Sequence, residues 1–222
     1  LKEKDTSRFL RTGCIYKMES FQQNLIKKIG KDNLVKIQSA KVGLAGAGGL
    51  GSNCALNLVR VGFRQLVIVD FDVVTEAILD RQFYFLDQIG MKKTEALKIN
   101  LLRINPDLEF TLIDKKIDKG NVKELFGDCQ VVVECLDQAE YKSMLVEELL
   151  NLGKFVVAAS GVGGIGSSDD IKVHKVKKNL VVVGDLESDI CLKPALSPRV
   201  NIAAAKQADS VLEFVINSRF LG

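Results

Sequence analysis

The sequence predicts one α/β domain, doubly wound, with a mostly parallel twisted sheet and helices on both faces. Three observations carry that prediction. Apolar strand-like runs alternate with amphipathic helical stretches along the chain, in the order β-α-β, α-β, α-β, α-β. The run from Gln65 to Asp70 is apolar on both faces, as a buried parallel strand is. A glycine-rich turn, Gly46-Ala47-Gly48-Gly49-Leu50-Gly51, follows one strand directly and opens a helix.

The elements follow in order. Ser20-Phe21-Gln22-Gln23 is a capping box, and Phe21, Leu25, Ile26 and Ile29 then share one helical face. Gly30 interrupts, and Asn33–Gln38 is a second short helix. Lys41–Ala45 is a strand entering the glycine run. The next helix reaches about Val61, with Gly62 suited to its C-terminal position. Asp72–Phe85 has no clean period and is expected as a long loop or short turns. A helix from about Lys93 ends before Asn105-Pro106, because the residue before proline avoids helix. Leu108–Ile113 alternates as a strand. Val122–Phe126 is a short helix closed by Gly127, and Gln130–Glu134 another apolar strand. Ala139–Leu152 is an amphipathic helix capped by Gly153, and Lys154–Ala159 the next strand. Ile171–Val176 and Leu180–Val183 form a further pair of strands. Asp185–Pro198 is a loop and Arg199–Ile216 the final helix. Residues 1–40 are set apart as an N-terminal helical segment, with the sheet-forming domain over 41–222.

Composition removes several classes. A 47% hydrophobic chain can build a core, which excludes disorder. The longest apolar runs are far shorter than the roughly 20 residues of a membrane helix, so no membrane partner is expected. Lys+Arg 31 against Asp+Glu 28 leaves a net charge of +3, too balanced to imply a nucleic-acid partner. The five cysteines, 14, 54, 129, 135 and 191, contain no C-x-x-C pair, so no zinc is expected. Unpaired thiols and a polar N-terminus without a secretory pattern point to a reducing, cytoplasmic setting. The chain opens without Met, as a fragment does.

The glycine turn has a mechanism at each position. Gly46 allows the tight turn, Gly48 and Gly49 let a phosphate approach the backbone, and Gly51 lets helix and strand pack closely. The helix N-terminus offers free N–H groups to an anion. Asp70 closes the next strand, nineteen residues after Gly51, where a carboxylate would grip ribose hydroxyls. This is the Rossmann-like arrangement, and it argues for a nucleotide without choosing between NAD and ATP. A second polar set follows the strands: Asp70-Phe71-Asp72, Arg81-Gln82, Gly90–Lys93 and Cys135-Leu136-Asp137. Two cations and two acids around phosphates suit nucleotidyl transfer, in which cations neutralise growing charge and acids hold magnesium.

Those stretches, with Arg103-Ile104-Asn105-Pro106 and Val133–Asp137, resemble the ThiF/MoeB/HesA adenylyltransferases, relatives of the ubiquitin-activating enzymes. The resemblance spans roughly Lys36 to Ile216 and is closest to the short ThiF type, through Asp137–Leu145, Ala158–Gly161 and Ser197–Val200. It implies an adenylyltransferase domain over 41–222, with Gly46, Gly48, Gly49 and Gly51 around ATP and Asp70 on the ribose. Arg81 and Lys93 would hold the triphosphate and, with Asp137, carry catalysis; Asp137 would bind magnesium with Asp72 as helper. The substrate implied is the C-terminal Gly-Gly carboxylate of a small ubiquitin-like sulfur carrier, of the ThiS kind in thiamine biosynthesis, with pyrophosphate released. A homodimer is implied too, and the final helix carries more apolar surface than one stripe requires.

Plainer roles stand beside these. Arg81 could pack over Phe83 or Tyr84, and Asp137 could cap the following helix. The departures are Ile78, where the family usually has Asn, Gln138 in place of the common Asn, and no N-terminal Arg-x-x-Arg-Gln, with only Arg8 and Arg11 nearby. Cys191 reads as a spare thiol in the Asp185–Pro198 loop, and Lys115-Lys116 as a solvated face. His174, the only histidine, leaves a serine or cysteine triad without a base. The alternatives are an NAD-dependent oxidoreductase of the same fold and a non-catalytic carrier-binding protein.

Overall fold

A computed structural model of the chain describes residues 20–189 and 192–218. Arg8, Arg11, Cys14 and Cys191 lie outside them. The helices are α1 (Phe21–Ile29), α2 (Lys31–Ser39), α3 (Gly49–Arg60), α4 (Lys93–Leu102), α5 (Val122–Phe126), α6 (Ala139–Asn151) and α7 (Ser197–Asn217). The strands are β1 (Lys41–Ala45), β2 (Gln65–Val69), β3 (Glu109–Ile113), β4 (Val131–Glu134), β5 (Phe155–Ala159), β6 (Lys172–Lys177) and β7 (Leu180–Gly184).

The strands form one seven-stranded sheet in the order β3-β2-β1-β4-β5-β7-β6. Every pairing is parallel except β6 with β7. Alternate residues of the central strands feed two cores. Leu66, Ile68, Val131, Val133 and Val157 face a core shared with α3, α4 and α7. Val67, Val69, Val132 and Val156 face the other, with Leu125, Phe126, Leu145 and Leu149 of α5 and α6. That two-sided burial is why these strands read as continuous apolar runs.

Local chemistry sets the boundaries. The α1 capping box forms, Ser20 Oγ accepting from Gln23 N at 3.2 Å and Gln23 Oε1 from Ser20 N at 3.0 Å. The helix stops at Gly30, whose φ of 82° suits glycine. In the expected loop after Asp72, Glu76–Ile78 and Leu86–Gln88 are short 3-10 turns. The final helix starts earlier than expected, at Ser197, because Pro198 fits a helix's first turn.

One expectation changes. The apolar surplus on α7 is largely used within the chain. Val200, Ala203, Ala204, Ala208, Val211 and Val215 are buried, and Ile202, Leu212, Phe214 and Ile216 pack partly buried against the same core. Phe214 stacks on Phe155 with ring centroids 3.9 Å apart. The homodimer expectation therefore rests on the family resemblance alone. The expected pair of strands after Ile171 forms as β6 and β7, and β6 is the sheet's edge, with Val173 and Val176 exposed and an irregularity between Lys175 and Lys177. Among the described residues, no helix is long and apolar enough to cross a membrane.

Candidate nucleotide site

The strand order reverses between β1 and β4, and open α/β sheets bind ligands at such a switch point, beyond the carboxyl ends of the strands. A cavity of about 680 Å³ lies there. Its wall takes residues that follow β1 (Gly46, Gly48, Gly49), β2 (Asp70, Phe71, Asp72), β4 (Leu136, Asp137), β5 (Ser160, Gly161) and β7 (Leu186, Ser188).

The glycine turn is built by close approach. Gly46 has φ 104°, and a Cβ there would lie 2.9 Å from the Cys135 carbonyl oxygen. A Cβ on Gly51 would lie 1.9 Å from the Gly46 carbonyl oxygen, so Gly51 serves packing beneath the turn and is absent from the cavity wall. Gly48 caps α3 without a side chain, which leaves the first-turn N–H groups facing the cavity. Asp70 is tied to the same turn: Oδ2 accepts from Ala47 N at 2.7 Å, and Oδ1 from Asp72 N at 2.8 Å.

Both predicted cations reach this wall. Lys93, the first residue of α4, is 8% exposed at its side chain and ion-pairs with Asp72 at 2.7 Å. Asp72 is thus committed to Lys93 in this state, which alters its expected part as a magnesium helper. Arg81 pairs with Asp80 at 2.7 Å and stays 30% exposed, its Cγ 3.7 Å from where a Gly49 Cβ would be. It does not stack on an aromatic ring. Buried Asn53 fixes its backbone to the turn, donating to Arg81 O at 2.9 Å and Gly49 O at 2.7 Å. Tyr84 donates its hydroxyl to Ala47 O at 2.7 Å. Burial, then the Asp70 and Asp72 charges, push that phenol up, so it stays protonated.

On the β4 side, Asp137 is exposed on the cavity wall. It does not cap α6; Gln138 is the cap residue, without a side-chain bond. The loop carrying Asp137 is held by fully buried Glu134, which accepts from Leu136 N at 2.7 Å and ion-pairs with Lys142 at 2.8 Å. Lys142 also donates to Leu136 O at 2.8 Å. Lys116 is exposed, as a solvated face requires, and it also joins the wall. Its ammonium is 2.8 Å from the Tyr141 hydroxyl and 4.6 Å from the ring centroid, and that hydrogen bond holds the lysine above its ordinary range.

The sequence therefore places eight of its nine site residues on one wall, with Gly51 beneath it. It misses Asn53, Tyr84, Glu134, Lys142 and Lys116. The signal available for Lys116 is its position just past the carboxyl end of β3. Burial pushes the described thiols up, Cys129 to about 12 and Cys54 and Cys135 likewise upward, so none is a ready nucleophile. His174 bonds Gly184 O at 3.0 Å across the β6–β7 pair, away from this chemistry.

Among the described residues, no group of three or more His, Cys, Asp or Glu is placed to hold a metal ion. One exposed carboxylate, Asp137, on the wall that the glycine turn shares would fit magnesium only together with a nucleotide, since that ion takes one or two carboxylates plus phosphate oxygens. It does not fit a resident metal.

Fold and site together define a Rossmann-like α/β domain with a glycine turn opening a helix at its switch point. The ThiF family model matches residues 21–217, and the chain belongs to the ThiF family. The adenylyltransferase and sulfurtransferase UBA4 of Eremothecium gossypii is 34% identical over 138 residues, 62% of this chain and 31% of that protein. The molybdopterin-synthase adenylyltransferase of Haemophilus influenzae is 31% identical over 125 residues, 56% of this chain and 51% of that protein. The chain thus spans about a third to a half of the curated relatives it matches. Among solved structures, E. coli tRNA N6-threonylcarbamoyladenosine dehydratase TcdA with AMP aligns at TM-score 0.80 and 20% identity, covering 87% of this chain and 93% of that one. E. coli MccB with ATP aligns at 0.69 and 24%, covering 88% and 63%. These likenesses establish the fold.

Proposed function

We propose that the protein is an adenylyltransferase. It uses ATP to adenylylate the C-terminal Gly-Gly carboxylate of a small ubiquitin-like sulfur carrier, with release of pyrophosphate. The observation that carries this reading is the convergence of Arg81, Lys93 and Asp137 on the wall that the glycine turn opens. A hydride-transfer site has no use for two cations and an exposed acid beside the phosphates. The attack of one anion on another does, and positioning with charge neutralisation supplies most of its rate. The activities for which the two relatives are named support the reaction class. When bound, magnesium would neutralise phosphate charge from Asp137. Lys93 and Arg81 would balance the charge that develops as pyrophosphate leaves, and Asp70 would take the ribose. A ThiS-like carrier, and hence thiamine biosynthesis, is the finer assignment, and it rests on the short-ThiF motifs Asp137–Leu145 and Ser197–Val200.

The test is ATP–pyrophosphate exchange with recombinant carriers ending in Gly-Gly, beside titrations with ATP–magnesium and with NAD. Exchange that depends on a carrier is expected. NAD binding without ATP binding would sink the assignment, and ATP binding without exchange would favour a non-catalytic carrier-binding protein.

A further inference from the structure

The wall of the cavity far from the glycine turn is closed by a charge pair that never touches the cavity. Arg199, in the first turn of α7, is only 6% exposed at its side chain. Its Nη2 donates to Asp185 Oδ2 at 2.5 Å, and its Nη1 to Gly166 O at 2.7 Å and Ser167 O at 2.9 Å. Asp185 in turn accepts at Oδ1 from Glu187 N at 2.9 Å and Ser188 N at 2.7 Å. Its backbone N–H donates to Gly161 O at 2.9 Å, and Leu186 N donates to Ser160 O at 3.2 Å. One guanidinium therefore fixes three segments: the exit of β5, the exit of β7 and the start of α7.

The exits of β5 and β7 approach too closely for side chains. A Cβ on Gly161 would lie 1.9 Å from Asp185 Oδ1, and one on Gly184 1.6 Å from Ser160 O. Ser160, Gly161, Val162, Leu186 and Ser188 of these exits line the cavity, with the acids Glu187 and Asp189 beside them, while Asp185 and Arg199 are absent from its wall and line a second cavity next to it. The residue after Arg199 links the other half: Val200 Cγ1 is 3.0 Å from where a Gly49 Cβ would be. The first turn of α7 thus sets the distance between the phosphate-binding turn and the far wall.

Resting on the adenylyltransferase reading, we infer that Arg199, through Asp185, is a positioning residue for the acyl substrate. It holds the β5 and β7 exits as the wall along which an extended, side-chain-poor tail brings its carboxylate to the α-phosphate. The residues assigned to the ribose and triphosphate, Asp70, Arg81 and Lys93, follow β2, and the same cavity also takes Ser160, Gly161, Val162, Leu186 and Ser188 from the β5 and β7 exits. Lysine at 199 would keep the charge but lose the planar fork that serves three oxygens at once.

The experiment compares wild type, Arg199→Lys and the double variant Arg199→Met/Asp185→Asn in carrier-dependent exchange, using a ThiS-like carrier ending in Gly-Gly. The variants are expected to raise the carrier KM about tenfold or more while leaving the ATP KM within about twofold, because only the acyl wall shifts. A carrier KM that stays put, or a rise in both KM values together, overturns the inference. In the wild type, amide hydrogen exchange should slow over 160–167 and 185–189 when the carrier is added, and not with an ATP analogue alone. The absence of that protection overturns it independently of how well the variants fold. A wild type that shows no carrier-dependent exchange removes the adenylyltransferase reading itself, and this inference with it.

Discussion

On the β1–β2 side of the cavity the wall consists of backbone N–H groups and charged side chains: Gly48, Gly49, Asp70, Asp72, Arg81 and Lys93. On the β5–β7 side it takes Ser160, Gly161, Val162, Leu186 and Ser188 with the exposed acids Glu187 and Asp189, and the pair that holds it, Arg199 and Asp185, is not on this wall. The first arrangement presents cations beside the glycine turn. The second presents only acids and neutral groups, and its one cation, Arg199, serves shape. Mutations should therefore separate cleanly: the first side governs rate with little cost in stability, the second governs stability and acyl-substrate use.

The largest stability effect is expected at the hidden pair. Asp185→Ala leaves a buried guanidinium uncompensated and should cost about 3–5 kcal/mol by denaturant titration. Burial alone would raise the Asp185 carboxyl, but the Ser188 and Glu187 donors and Arg199 hold it below its ordinary range. A lowered carboxylate stabilises the fold above its unfolded value and loses that contribution as pH falls through its folded value. The gap between wild type and Asp185→Asn should thus be full at neutral pH and shrink below about pH 4. A gap that does not change with pH would refute the charge-pair account.

Next comes the exposed side. Arg81→Ala, Lys93→Ala and Asp137→Ala should each slow adenylate formation on the order of a hundredfold or more, about 3 kcal/mol. Arg81→Ala and Asp137→Ala should leave the melt within about 1 kcal/mol of wild type. Lys93 is more buried than its place at a helix start suggested, so its variant should be the least stable of the three. Wild-type exchange rates in all three would cancel the distinction between the two sides.

A smaller effect lies at the hinge between turn and cation. Asn53→Ala removes two hydrogen bonds that hold Arg81 and Gly49 together, and should cost about 1–3 kcal/mol with a raised KM for ATP. The smallest is a null effect. Cys54, Cys129 and Cys135 should resist a thiol reagent in the native protein at pH 8 and react only after unfolding, as peptide mapping would record. Labelling of any of the three in the folded state would contradict their burial.

The fold was legible because its central strands carry their own evidence. β1, β2, β4 and β5 are apolar on both faces, and their observed ends fall within one residue of those expected. The glycine turn was legible because its spacing encodes a mechanism. The supporting residues were not, because their partners lie far along the chain. Asn53 meets Arg81, Glu134 meets Lys142, and Arg199 meets Asp185 only after the strands have assembled. Glu134 ends an apolar run, and nothing local distinguishes it from a solvent-facing strand end. The apolar count on α7 is accounted for within the chain for a related reason. A helix that packs on both α3 and the sheet buries more than one stripe, so surplus apolar residues need no second chain.

The lysines of β6 bear on how the protein behaves in concentrated solution. Lys172, Lys175 and Lys177 line the sheet's outermost strand, which is irregular between Lys175 and Lys177. A bare strand there, with Val173 and Val176 exposed, would template stacking of one molecule on the next. Repeated positive charge makes such an approach repulsive at neutral pH, and the irregularity spoils the flat rim that stacking needs. Replacing these lysines with glutamine is expected to raise light scattering at high protein concentration before it changes anything in the cavity.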